Sequence, residues 1–163
     1  ASVVRAHLAE FEDWFNQVNA LLGLRNFPTH VELRRDAQGR IRPIEFNALR
    51  FAGWCCTDIT LFAWGFHSYG CFLNGQRPDW DTILQGREGK LYTLIVLNKP
   101  DNCPPVQHFD YEALCRGFGR VLHVRKSDFT RYGLFGFLFT ETPENARQEL
   151  DSIARSDLLE FTS

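Results

Sequence analysis

The sequence predicts an α+β fold, and three observations carry that expectation. Val4, Leu8, Phe11, Phe15, Val18 and Leu22 recur at steps of four and three, which is one face of an amphipathic helix closed by Gly23. The period then changes to two in HVELRRDAQGRIRPIEFN, where Val31 and Leu33, then Ile44 and Phe46, alternate with polar residues across the turn-rich DAQGR. Beyond residue 89 the order reads strand, short helix, strand, strand, helix, a small antiparallel layer with helices on one face.

Each later element has its own warrant. TDITLFAWGFHSYGCFL over 57–73 returns to helical spacing through Ile59, Phe62, Phe66 and Leu73, with Thr57 or Asp58 as N-cap and Gly65 and Gly70 weakening it. NGQRPDWDTILQGREG is polar and turn-rich, so a boundary is expected at 76–89, between a first part over 1–75 and a small α/β extension over 90–163. KLYTLIVLN, RVLHVRKSDF and GLFGFLFTE read as strands and FDYEALCRGF as a helix. Thr142, Pro143 and Glu144 form a helix start, and Ala146, Leu150 and Ile153 give that last helix its buried stripe.

Composition bounds the function. With 163 residues the chain amounts to one domain or two small ones, and an apolar fraction of 44% with 15 phenylalanines supports a substantial core. A net charge of −2 argues against the basic footprint of a nucleic-acid binder. No apolar run approaches the ~18 residues of a membrane span and no signal-peptide layout opens the chain, so a soluble, cytoplasmic protein is expected, with no membrane partner. The five cysteines show no zinc spacing, and the adjacent Cys55 and Cys56 read as core thiols, with redox activity the sharper alternative. Trp54, Trp64 and Phe66 likewise read as core aromatics rather than a base-stacking platform. The chain has no methionine, even at position 1, so it is expected to be a piece of something longer.

The hairpin holds the chemistry. If Asp36 and Ile41 close a four-residue turn, Leu33 faces Ile44, Val31 faces Phe46, and Glu32 faces Glu45, with Asn47 on the same face as the two acids. Like charges directly opposed in a sheet are destabilising, so something must compensate. A hard divalent cation does so with carboxylate oxygens and the Asn47 amide. Neutralisation by Arg34 or Arg42 on a solvated face is the alternative. His30 falls opposite Asn47 and either lines the site or is a hydrogen-bonded sheet histidine.

HVELRRDAQGRIRPIEFNALRFAG resembles the C-terminal catalytic hairpin of the ATP-grasp superfamily, in which a Glu on one strand, a hairpin containing D-x-x-G and a closing E-x-N hold the metals of Mg-ATP. The preceding helix and LGLRNF fit the same pattern, and the likeness is good over about residues 15–55. The fold it implies is the C-terminal half of an ATP-grasp fold, an antiparallel sheet with packed helices, followed by the small β-α-β-β-α extension. It implies that Glu32 is the first metal ligand, that Glu45 bridges two metals and contacts the bound nucleotide with Asn47, and that Asn47 is a ligand of the second metal. The cofactors are then Mg2+ or Mn2+, with ATP as co-substrate, and the activity is that of a carboxylate-amine or carboxylate-thiol ligase acting through an acyl phosphate.

The family's E-x-N-P-R becomes Glu45-Phe46-Asn47-Ala48-Leu49-Arg50, without the proline and with the arginine one residue later. Arg50 is the candidate catalytic residue, meeting a phosphate or a substrate carboxylate through its planar fork, or else pairing with a nearby acid. The family's glycine-rich loop and phosphate-gripping lysines lie upstream of this hairpin, whereas Lys90, Lys99 and Lys126 all follow it. The partners implied are ATP, a small carboxylate and an N-terminal part of the same protein, and the chain alone is expected to be inactive. Homo-oligomerisation stays open, as does a non-catalytic ligand-binding or assembly module that keeps the fold.

Overall fold

The structure, a computed structural model, describes residues 6–163. Val4, the first residue of the expected helical stripe, lies outside the described residues. The chain divides into two compact units, residues 1–53 and residues 54–163.

The first unit contains α1 (Leu8–Leu22), β1 (Thr29–Arg35) and β2 (Ile41–Ala48). α1 ends where the sequence places its stop: Gly23 takes the left-handed conformation at φ +64, which glycine adopts without a Cβ penalty, and its N–H donates to the Asn19 carbonyl. Phe11, Phe15 and Val18 are half-buried on the apolar stripe, while Leu8 and Leu22 at its ends are exposed. Glu10, off that stripe, meets His7 Nδ1 at 3.2 Å and Arg35 Nε of β1 at 3.7 Å.

The second unit is built on a three-stranded antiparallel sheet of β3 (Lys90–Asn98), β4 (Val121–Lys126) and β5 (Leu134–Pro143), in the order β3-β5-β4. The central strand explains the rest. LFGFLFTET is buried at all nine positions, which an apolar run on both sides of a strand demands. Phe135 and Leu138 pack with Leu97, Phe109 and Leu114, the last from α5 (Tyr111–Cys115). Leu134, Phe137 and Phe139 pack with Cys55, Ile59 and Phe62, the last two from α2 (Asp58–Trp64). The sheet is therefore covered on both faces, not on one as the element order suggested.

That second cover moves the boundary. The units part at Gly53 and Trp54 rather than across 76–89, because α2 belongs to the core of the sheet. The segment 76–89 is itself structured, with α4 (Trp80–Leu84) capped by Asp79, whose side chain accepts from the Thr82 N–H. Arg87 ties it down by donating to the carbonyls of Ala63 and Ile83, and its guanidinium lies 5.8 Å from the centre of the Tyr92 ring. Trp64, Phe66 and Trp80 complete an aromatic cluster there.

Three local expectations change. The helix over 57–73 is two helices, α2 and α3 (Ser68–Leu73), parted at Gly65 in the left-handed conformation. Thr142 does not cap a helix: it is fully buried in β5 opposite Leu91, and the chain passes through a short 3-10 turn before α6 (Gln148–Ile153). Trp54 is 65% exposed, set edge-on against Phe137. Cys55 and Cys56 are both free, Cys55 buried and Cys56 exposed. Burial raises the Cys55 thiol pKa against the pull of Arg125, which donates to Sγ at 3.4 Å. The same guanidinium meets Asp58 Oδ2 at 2.7 Å.

Among the charged residues, Glu141 is nearly enclosed on β5. Burial pushes its carboxyl up, but Lys90 at 3.3 Å and Arg120 at 2.9 Å outweigh that and hold it below the usual carboxylate range. Gly136 is the tightest point of the sheet. Its φ is +152, and a Cβ there would run into the Arg125 carbonyl oxygen of β4. Gly136→Ala is expected to destabilise the protein by at least about 2 kcal/mol, through backbone strain and forced separation of two strands. Urea unfolding of the two proteins measures it, and equal midpoints would show that the sheet yields at this point.

Candidate functional site

The first unit's hairpin is organised from its loop. Arg35 pairs with Ile41, leaving five residues, Asp36 to Arg40, to turn the chain. Asp36 fills that turn: its Oδ1 accepts the backbone N–H groups of Gln38 at 3.0 Å and Arg40 at 2.8 Å, and its Oδ2 takes Arg40 Nε at 2.9 Å and Arg42 Nε at 3.2 Å. Gly39 supplies the left-handed residue, φ +81, that lets its N–H return to the Asp36 carbonyl. The Arg40 N–H, then the two guanidinium groups and the Gln38 N–H, outweigh partial burial and hold the Asp36 carboxyl below its ordinary pKa.

A four-residue turn was expected, so pairing next to the loop runs one residue out of step. Leu33 lies opposite Pro43, not Ile44, and Arg34 lies opposite Arg42. The register shifts between Glu32 and Leu33, leaving Ile44 as the extra residue of a β-bulge, 59% exposed. Pro43 suits that irregularity, since it has no N–H to give to a ladder. Beyond the bulge the expected register returns: Glu32 opposite Glu45, Val31 opposite Phe46, and His30 opposite Asn47.

Directly opposed residues share a face, as do residues two apart on a strand. Glu32, Glu45, His30 and Asn47 therefore form one surface of the hairpin. Arg42 is committed to Asp36, and among the described residues Glu32 has no ion-pair partner. Arg50 turns back toward the acids, with Nη2 3.8 Å from Glu45 Oε1, a loose contact that offsets part of the repulsion. Leu49, one residue after the Ala48 that stands where the family pattern has its proline, is in the left-handed conformation at φ +58 and 67% exposed. Three nitrogens around this surface, His30 Nδ1, Asn47 Nδ2 and Arg50 Nε, are shielded from solvent without a hydrogen-bond partner.

Two carboxylates and an amide oxygen are hard donors of the kind Mg2+ and Mn2+ take, and unpartnered polar atoms beside them fit a surface made for a polar ligand. Among the described residues no three His, Cys, Asp or Glu side chains converge, and the candidate donors are the oxygens of Glu32, Glu45 and Asn47. The missed feature is the bulge. Its signal was in the sequence, in a proline two residues before Glu45 and an Asp-x-x-Gly loop one residue longer than a tight turn.

Residues 1–58 match the ATP-grasp domain family. The match supports an ATP-grasp domain in the first part of the chain and leaves residues 59–163 outside it. The match spans α1, both strands of the hairpin and the segment that carries Arg50. No curated protein and no solved structure matches the chain. Among the described residues no helix is long and apolar enough to cross a membrane.

Because Asp36 holds its loop as a carboxylate, its contribution is present above the unfolded pKa of about 3.9 and is lost as pH falls through the lower folded value. Asp36→Ala is expected to speed amide exchange at Gln38 and Arg40 at neutral pH. In matched melts at pH 7 and pH 3, the stability gap between wild type and variant narrows at the lower pH. A gap that stays constant would remove the carboxylate from the account of the loop.

Proposed function

We propose that the hairpin is the metal-holding edge of an ATP-dependent ligase, one that activates a small carboxylate as an acyl phosphate for attack by an amine or thiol. The observation that carries this reading is the opposition of Glu32 and Glu45 with Asn47 beside them, in a segment matched by the ATP-grasp family. Glu32, Glu45 and Asn47 would hold Mg2+ or Mn2+, with Glu45 shared between two ions and, with Asn47, against the nucleotide. The bound ion supplies charge neutralisation at the transferring γ-phosphoryl group. Arg50, already leaning on Glu45, is the group of this unit placed to exchange that loose contact for a phosphate or carboxylate oxygen, which its fork takes better than a single point charge does.

A second reading keeps the fold without catalysis, and one observation favours it. Ala48 stands where the family has proline, and the extra residue Leu49 sits in a backbone conformation that a bulky side chain rarely adopts.

The unit that holds the acids contains no lysine, since Lys90, Lys99 and Lys126 belong to the second unit. The chain is therefore expected to bind Mn2+ weakly, to bind ATP weakly, and not to hydrolyse it. Mn2+ titration followed by electron paramagnetic resonance tests the site: Glu45→Gln and Asn47→Leu should each abolish measurable binding while the circular dichroism spectrum is kept. Binding indifferent to both variants overturns the metal site. Carboxylate-dependent release of ADP by the full-length protein, lost on Glu45→Gln, separates the ligase from the non-catalytic reading.

A further inference from the structure

The two buried orphans that face each other across the hairpin are chemical complements. Asn47 Nδ2 is a donor and His30 Nδ1 an acceptor in the neutral imidazole protonated at Nε2; both are shielded from solvent, and neither has a partner. Their residues occupy directly opposed positions, where Cβ atoms lie about 4.5–5.5 Å apart. The terminal side-chain torsions of Asn and His are broad, so the orientation of both groups is free to adjust without moving the backbone.

The consequence concerns the other end of the amide. A carboxamide is planar, so fixing its nitrogen fixes its oxygen. We infer that His30 is a positioning residue for Asn47: its Nδ1 accepts from Asn47 Nδ2 and thereby turns Oδ1 toward Glu45 and Glu32. This rests on the metal-holding role proposed for Asn47. An imidazole that itself ligates is disfavoured, because no third His, Cys, Asp or Glu joins the two acids among the described residues. Arg50 Nε is the competing donor for the same imidazole nitrogen, but its guanidinium already inclines to Glu45.

The test uses the 163-residue chain with two readouts. The first is Mn2+ affinity; the second, with no metal present, is hydrogen exchange of the Asn47 side-chain NH2 in 15N spectra, assigned by its loss in Asn47→Leu. His30→Leu removes the acceptor and is expected to lower Mn2+ affinity about tenfold, in the range seen when partners of metal ligands are removed, and to speed the NH2 exchange. His30→Gln restores an acceptor and is expected to recover both. Unchanged exchange in His30→Leu overturns the inference, as does a His30→Gln protein no better than His30→Leu. Wild-type Mn2+ binding indifferent to Glu45→Gln would instead defeat the metal-site reading, and the metal-free exchange measurement still decides whether His30 holds Asn47.

Discussion

The cross-strand register of the hairpin is the constraint on which the candidate site depends. A slip of one residue would carry Glu32 to the apolar side of its partner strand and part it from Glu45. The loop, held by four hydrogen bonds to the Asp36 carboxylate, starts the pairing one residue out of step, and the bulge at Ile44 restores it just before the acids meet. The bulge also leaves Ile44 exposed, so the ordering of the polar face is obtained at the expense of one apolar contact. Bulges beside functional sites commonly re-aim a side chain in this way.

The electrostatics follow from that register. Two arginines near the loop are directed to Asp36, a carboxylate whose lowered pKa keeps it charged, and they are thereby unavailable to Glu32 and Glu45. What reaches Glu45 is Arg50, at a separation where an exposed pair contributes little. Among the described residues, Glu32 is left without an ion-pair partner and Glu45 with this loose one. Opposed like charges in a sheet are unfavourable, and this is the physical ground of the proposal that a divalent cation sits there.

The second unit obeys a different logic, that of a central strand enclosed on both faces. β5 places Phe135 toward α5 and Phe137 and Phe139 toward α2, and its one glycine allows β4 to approach the backbone closely. Glu141 stays ionised near the end of that strand because two cations from the neighbouring segments outweigh its burial. No two acidic residues stand opposed in its sheet, and most of the unit lies beyond the matched family segment.

What the sequence determined by itself was the local and the periodic. The alternation of Val31, Glu32 and Leu33, the step-three and step-four stripe of α1 with its closing Gly23, and the apolar strands over 90–98 and 134–143 each follow from spacings within a few residues of each other. The pairing of Glu32 with Glu45 was legible for the same reason, since only one register kept the apolar residues together. Tertiary structure alone decided what depends on three-dimensional competition. The Asp36 carboxylate claimed Arg42, and Arg50 settled on Glu45. The boundary moved because α2 found a second apolar face on β5. Periodicity reports which face of an element is apolar; it is silent on which distant element covers that face and on which of several nearby cations a carboxylate will bind.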